Sequence, residues 1–309
     1  MGFSNRMTFV VPTKDRPQEI RRMLASVHAQ PVHPHEIILV DGGDRTVADV
    51  PAEFPDLRIR YLRVYPPSLS RQRNAGMDAV DPAATLAGYV DDDLVFEPGS
   101  VEAMLRFWED AGPDVGGAGF NIVNMRPRRV FLLEQLFLQA SRRRGQFLRS
   151  GFETPLWVGP VEGAAWVRWL NGGATIWRRA ITQEVPYDEW FEGTGYLEDV
   201  DFSYRVGERY RMALVGDARV QHLTTAIRRD RNYILGRWQA VNRMYFVRKH
   251  LDEFSLPLTY WALLGLPIFN TFLGVGTGDA AFLDRARGNC AGILRVLQGR
   301  LERSGGLLK

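Results

Sequence analysis

Residues 85–99 read TLAGYVDDDLVFEPG. An apolar run from Thr85 to Val90 predicts a buried strand, and it stops abruptly at Asp91, Asp92 and Asp93. Adjacent carboxylates repel one another unless a cation shares them. Hard divalent ions such as Mg²⁺ take oxygen ligands, commonly one or two carboxylates together with substrate phosphates. In an extended segment Asp91 and Asp93 point to one side, the D-x-D spacing, and Asp92 to the other. A solvated turn is the competing reading of the same three residues.

The chain before this stretch alternates in kind. Thr8 to Pro12 is a short apolar strand candidate, and Gln18 to Gln30 has helical spacing, with Ile20, Met23, Leu24 and Val27 on one face. Strand candidates follow at Glu36 to Val40 and Arg58 to Leu62, with a helical segment over Ser70 to Val80. Strand, helix, strand, helix, strand predicts an α/β fold with a mostly parallel, Rossmann-like central sheet and right-handed crossovers. Ligands of such sheets sit outside the carboxyl ends of the strands. Polar residues collect at those ends: Thr13, Lys14, Asp15 and Arg16, then Asp41, then the three aspartates. Further on, Glu102 to Asp110, Phe131 to Leu138 and Asp199 to Arg211 read as helical, the last opened by acids that suit the helix dipole.

The 309 residues, 45% hydrophobic, suffice for one large domain or two smaller ones. A net charge of +3 without a basic stripe gives no footprint for nucleic acid. One cysteine, Cys290, excludes an internal disulfide and a cysteine zinc site and fits a reducing compartment. Met1 to Met7 is too polar and short for a secretory signal, so a cytoplasmic placement is expected.

Several stretches join the aspartates in a recognisable order: VVPTKDRP, VDGG, SRQRNAG, YVDDD, NGGATIWRRAI and YLEDVDFSYRV, over roughly residues 7 to 250. Together they resemble glycosyltransferase family 2, inverting enzymes of the GT-A fold that use nucleotide-diphosphate sugars and a divalent metal, Mg²⁺ or Mn²⁺. The resemblance implies roles by position. Pro12, Thr13 and Arg16 match the first nucleotide-binding loop, Asp41 the acid that contacts the base, and Arg73 the arginine of the R-N-x-G motif near the nucleotide. Asp91 matches the aspartate near the ribose and Asp93 the metal ligand. Asp92 stands with the donor-side residues in a mainly structural role. Gly172 and Gly173 match the turn shaping the donor-sugar and acceptor pocket, and Asp199, beside Glu198, matches the catalytic base. Capping of a helix N-terminus is the plain alternative for these two acids. His222 falls where some relatives place a further metal or diphosphate contact, and a packed histidine is the alternative there. Arg228 and Arg229 are candidates for a diphosphate lid, Trp166 and Trp190 for acceptor contact. One departure stands out: Asp41 is followed by Gly-Gly-Asp44, which leaves the nucleotide base open.

The expected partners are therefore a nucleotide-diphosphate sugar and a glycan, lipid-linked or small-molecule acceptor. Competing functions are a polyprenyl-phosphate sugar synthase, an inactive nucleotide-sugar-binding protein and a sugar nucleotidyltransferase. PTKDRP lacks the glycine-rich loop the last would need. From Phe254 to Gly278 there is no charged residue. That length would allow one membrane span of about 20 residues, though Pro257 and Pro267 argue against a straight one. Attachment to a membrane's inner surface and a core or oligomer helix pair are the other readings. The expected division is a catalytic domain over 1–250 and a helical region over 251–309.

Overall fold

The computed structural model describes residues 2–191, 195–223 and 231–301. The chain forms two compact units, one of Met1–Arg126, Gly159–Glu189 and Glu198–Thr224, the other of Pro127–Val158, Trp190–Leu197 and Thr225–Lys309. The division is thus discontinuous and does not fall at residue 250: the second unit also takes two earlier stretches of chain.

The first unit is an α/β sheet domain. Its strands are β1 (Met7–Thr13), β2 (Glu36–Asp41), β3 (Ile59–Arg63), β4 (Leu86–Val90), β5 (Leu94–Phe96), β6 (Val115–Ile122), β7 (Ala164–Val167), β8 (Ala174–Arg178) and β9 (Arg211–His222). The order is β3-β2-β1-β4-β8-β6-β9-β5, with β7 also on β9. The part β3-β2-β1-β4 is parallel, as the alternation predicts. From β8 onward the sheet is mixed: β8 runs antiparallel to β4 and β6, and β5 and β7 antiparallel to β9. β1 is buried throughout although it contains Pro12. Its pairing with β4 reaches only Val10, so Pro12 lies where the strand is already an edge on that side.

Helices α1 (Pro17–His28), α2 (Leu69–Asp78), α3 (Ser100–Asp110), α5 (Arg179–Glu184) and α6 (Glu198–Gly207) belong to this unit. On α1, Pro17 fits the first turn, and Ile20, Met23, Leu24 and Val27 form the buried face. Each such side chain contributes about 1.5–3 kcal/mol when removed from water. α6 is shorter than its pattern suggested. It stops at Gly207, and Arg211 already opens β9.

The second unit is helical: α4 (Leu132–Leu136), α7 (Asn232–Lys249), α8 (Leu256–Thr277) and α9 (Ala280–Leu297). α4 keeps only five of the residues expected to be helical. Its first turn is held by Glu134 Oε2 accepting from Phe131 N at 3.1 Å, and it ends before Leu138, whose φ is 53°. α8 continues through Pro267. Ala240, Val241 and Met244 of α7, Ala262, Leu263 and Leu266 of α8 and Val296 of α9 share one core.

α2 lies against the sheet at Gly76. A Cβ there would overlap Val10 Cγ1 and stand 2.8 Å from Val40 Cγ2. Both valines are buried and β-branched, so neither can turn aside. Gly76→Ala should therefore lower stability by about 1–3 kcal/mol through overpacking, outweighing the ~1 kcal/mol gain in helix propensity. Urea unfolding of the two proteins measures the difference, and a stabilised variant would contradict the packing described.

Candidate active site

The polar residues predicted at the strand ends do converge, but the backbone that gathers them is not the expected one. Asp91 to Asp93 are not an extended strand end. They form a tight turn between β4 and β5, with Leu94 N donating to Asp91 O at 3.3 Å. The turn, not strand pleating, brings Asp91 and Asp93 together. β5 then pairs with the end of β9, setting Leu94 opposite His222. His222 is fixed on both backbone sides by Asn124. The Oδ1 of Asn124 accepts from His222 N at 2.9 Å, and its Nδ2 donates to His222 O at 3.0 Å. Asp91, Asp93 and His222 each offer a ligand atom, all within 4.8 Å of one another.

The charges around this trio are already partly matched. His222 Nε2 lies 2.9 Å from Asp93 Oδ1, and Arg16 Nη1 lies 3.1 Å from Asp93 Oδ2. Burial alone would push the Asp93 carboxyl up. The hydrogen bond and charge of His222, with Arg16, outweigh it and hold Asp93 below the usual range. Burial likewise opposes the charged form of His222, and Asp93 and Asp91 reverse that and raise the imidazole above its ordinary value. Asp92 points elsewhere. It accepts from Thr13 Oγ1 at 2.7 Å and from Arg16 Nη1 at 2.8 Å. Burial still pushes it up to about 6, against Arg16 and Thr13. Asp92 thus ties the loop after β1 to the aspartate turn.

Asp41 departs from the expectation that it faces a nucleotide base. It is fully buried, and its carboxylate is taken up within the protein. Oδ1 accepts from Gly43 N at 2.8 Å, and Oδ2 accepts from Val47 N at 3.1 Å and Tyr61 OH at 2.9 Å, with Arg63 Nη1 at 3.1 Å. Asp41 shapes the loop after β2. The unusual Gly-Gly has a local cause at Gly43, where a Cβ would collide with the backbone nitrogen of Asp15. Asp15 itself has φ 57°, and its Oδ1 accepts from Arg45 N at 2.7 Å. Gln72, a residue with no signal of its own in the sequence, closes this corner by donating to Thr13 O and Val40 O at 3.0 and 2.8 Å.

Arg73 also differs from a nucleotide-facing residue. Its side chain is 3% exposed, and Nη1 pairs with Glu198 Oε1 at 2.9 Å while Nη2 lies 3.6 Å from Asp91 Oδ1. The guanidinium carbon sits 5.0 Å from the centre of the Tyr187 ring and 5.8 Å from that of Tyr89, within cation–π range. Asn74, the next residue of the motif, is a clamp on Tyr187: Nδ2 donates to its carbonyl at 3.0 Å and Oδ1 accepts from its N–H at 2.8 Å. Tyr187 stacks on the buried Phe202 with ring centres 4.6 Å apart. Tyr187 lies outside the motifs, and Tyr89 opens the YVDDD stretch without a role assigned to it.

The Gly172–Gly173 turn bridges the two acidic groups. Gly173 O accepts from Asp91 N at 2.7 Å, and Gly172 N donates to Asp199 Oδ2 at 3.0 Å. A side chain at Gly173 would run into the Asp91 carboxylate, and one at Gly172 would stand 2.8 Å from both Arg73 Nη1 and Asp199 Cβ. Asp199 sits at the start of α6, half-buried, its Oδ1 also accepting from Val200 N at 2.8 Å. The preceding Glu198 is buried against Arg73. Burial, then the neighbouring Asp199, push its carboxyl up to about 7 despite Arg73. Leu197, just before this pair, has φ 73°, a strained value for a bulky residue.

Trp166 lies away from this cluster. It pairs with Ala213 near the start of β9, nine residues before His222, and Arg211 stacks on its ring at 3.6 Å. Trp190 belongs to the second unit, stacked on Tyr245 at 3.8 Å. Arg228 and Arg229 lie outside the described residues.

A mixed central sheet flanked by helices agrees with what the chain matches. The model of the family described as Glycosyl transferase family 2 matches residues 8–168, just over half of the chain. The chain belongs to glycosyl transferase family 2. An uncharacterized glycosyltransferase, YwdF of Bacillus subtilis (strain 168), is 30% identical over 107 residues, which are 34% of this chain and 39% of YwdF. Among solved structures, the mannosyltransferase PcManGT from Pyrobaculum calidifontis, in complex with GDP-Man and Mn²⁺, superposes with a TM-score of 0.57 at 13% identity. It covers 97% of this chain and 91% of that one. S. aureus TarS 1-349 gives a TM-score of 0.52 at 14% identity over 95% and 92% of the two chains. At such identities the two structures speak for the fold, a GT-A-type α/β architecture.

The buried Arg73 gives the family 2 chain a pH-dependent weak point. In Arg73→Met, Glu198 keeps its burial and its acidic neighbour but loses its counter-charge, so its folded-state pKa rises further above the unfolded value. The folded state then binds the extra proton, and stability falls as pH rises from the unfolded to the folded pKa. Arg73→Met should cost about 3 kcal/mol at pH 8 and clearly less at pH 5. Urea unfolding at the two pH values checks this, and an equal loss at both would refute the account.

Proposed function

We propose that this family 2 protein is an inverting, metal-dependent glycosyltransferase. It moves a sugar from a nucleoside-diphosphate donor to a hydroxyl of a glycan, lipid-linked or small-molecule acceptor. One observation carries the reading: the Asp91–Asp93–His222 trio and the half-buried Asp199 are joined through the Gly172–Gly173 backbone. The two carboxylates suit Mn²⁺ or Mg²⁺, and the imidazole beside them favours Mn²⁺ of the two. PcManGT with GDP-Man and Mn²⁺, and TarS with UDP-GlcNAc, are precedents for such ligands on this fold.

In this reading Asp91, Asp93 and His222 hold the cation. When bound, that ion supplies positive charge against the departing diphosphate. Arg16, partly exposed beside Asp92 and Asp93, is placed to add charge-assisted hydrogen bonds to a phosphate. Asp199 accepts the acceptor's hydroxyl proton as the new bond from that oxygen to the anomeric carbon forms. The bond from the anomeric carbon to the diphosphate oxygen breaks on the opposite face, and its electron pair leaves with the nucleoside diphosphate. One displacement inverts the centre and requires no protein nucleophile. The amide of Gly172 holds Asp199 in place, and Glu198 with Arg73 supports the start of α6. Asp41 is given no contact with the base, since its oxygens are already used inside the loop.

Asp199→Asn should retain donor binding and lose roughly 10²–10⁴-fold in turnover, the usual range for a general base. Near-normal transfer by that variant, measured with a competent acceptor, would remove Asp199 from the role. Asp93→Ala should abolish Mn²⁺-dependent binding of donor, read by calorimetry with and without EDTA. The Mn²⁺ affinity of the native protein should also rise with pH, because the imidazole of His222 must shed a raised-pKa proton before it can ligate. An affinity independent of pH between 6 and 8 would exclude His222 from the ligand set.

A further inference from the structure

The second unit shows solvent a surface that a water-soluble helical layer has no reason to keep. Around α8, at about 100° per residue, Trp261, Leu264, Ile268, Phe272 and Val275 fall on one stripe. Each is between 43% and 74% exposed. At about 1.5 Å per residue the stripe from Trp261 to Val275 is roughly 20 Å long on a 22-residue helix. α4 extends it sideways with Leu132 and Leu136, both exposed. The two helices are locked together where Trp261 Nε1 donates to Leu136 O at 2.9 Å and Phe131 packs on Phe269 at 5.5 Å. Among the described residues α8 is the one helix long and apolar enough to cross a bilayer.

The opposite face of α8 shows that it lies rather than spans. Asn270 Nδ2 donates to Asn289 Oδ1 of α9 at 2.8 Å, and Asn289 Nδ2 donates to Gly236 O of α7 at 2.8 Å. Thr259 Oγ1 donates to Ser150 O at 3.1 Å, and Gln139 Nε2 donates to Ala262 O at 2.7 Å. Threading α8 through a bilayer would break these buried polar contacts and leave each partner unsatisfied in hydrocarbon.

Charge identifies the occupant of the stripe. The second unit holds 19 Lys and Arg against 9 Asp and Glu, net +10. The first holds 20 against 27, net −7, and the two give the +3 of the chain. The excess is dense beside α4: residues 127–150 carry Arg128, Arg129, Arg142, Arg143, Arg144 and Arg149 against the single acid Glu134. Five of those arginines are exposed, all but Arg144. A second copy pressed onto this face would bring two net-positive units and their exposed arginines together. An anionic lipid surface supplies the missing sign and takes the apolar stripe into its acyl boundary.

We propose that the stripe formed by α8 and α4, with its arginine flank, is a monotopic docking surface for an anionic membrane, into which Trp261, Leu264, Ile268, Phe272 and Val275 insert without crossing. The surface is independent of the catalytic assignment. The test is flotation of the full chain with vesicles of phosphatidylcholine alone or with about 30% phosphatidylglycerol, the anionic fraction supplying the surface potential. The protein should float with the anionic vesicles, bind the neutral ones weakly, and be released by alkaline carbonate. The pair Leu264→Glu and Ile268→Glu alters only exposed positions and should cut binding roughly tenfold or more at an unchanged melting temperature. Arg142→Glu with Arg143→Glu should cut binding to anionic vesicles and leave the weak neutral binding as it is. Undiminished flotation of the Leu264/Ile268 variant would overturn the proposal, as would equal binding to both vesicle types. Resistance to carbonate would make α8 a span instead. A lipid-free dimer that falls apart in the Leu264/Ile268 variant would assign the stripe to a second copy. Because flotation does not read turnover, a failure of the Asp199 assignment leaves this result untouched.

Discussion

A guanidinium taken out of water stays charged only if carboxylates and ring faces replace its hydration, and Arg73 is in that position. Its side chain is nearly sealed, between Tyr187 and Tyr89, with Glu198 on one nitrogen and Asp91 near the other. Those carboxylates come from α6 and from the turn after β4, two places far apart in the chain. The arginine therefore fixes the spacing between the acidic turn and the start of α6. Asn74 keeps Tyr187 under it, Gly172 leaves room for it, and Gly173 leaves room for the Asp91 carboxylate, because neither glycine has a side chain. Much of what resembles a ligand-binding motif in SRQRNAG is in this sense the scaffold on which the site is built.

The same division of labour recurs around the aspartates. Of three consecutive carboxylates, Asp92 is turned inward to Thr13 and Arg16, while Asp91 and Asp93 meet His222. Asp41 is spent on its own loop. In the proposed mechanism Asp91, Asp93 and Asp199 are the carboxylates that meet ligand, and each borders one that is internally consumed or raised. Placing unlike environments side by side separates the protonation behaviour of neighbouring acids, as the raised Asp92 and the lowered Asp93 show.

The parallel half of the fold was legible because its strands and helices carry the two periodicities that burial imposes. Ile20, Met23, Leu24 and Val27 needed no structure to be placed on one face. The mixed half was not, since an antiparallel neighbour such as β8 is a matter of chain reversal over long range, and an apolar strand reads the same in either direction. α4 was overestimated for a related reason. Its apolar pattern predicts a helical core, whereas Leu132 and Leu136 face solvent.

By itself the sequence determined the kind of chemistry. Acids, arginines and a histidine collect at the carboxyl ends of apolar strands in the order of one family, and that order survives any detail of packing. The sequence also determined that a charge-free segment of helical length follows near the end. Only the tertiary structure decided which of those polar groups remain available. Availability depends on which partners a charged group meets, and those partners, Tyr61 for Asp41, Thr13 for Asp92 and Glu198 for Arg73, arrive from other parts of the fold. It likewise decided that α8 turns Thr259 and Asn270 inward and its apolar stripe outward. Hydropathy averages a helix over all its faces, whereas packing against α7 and α9 chooses one.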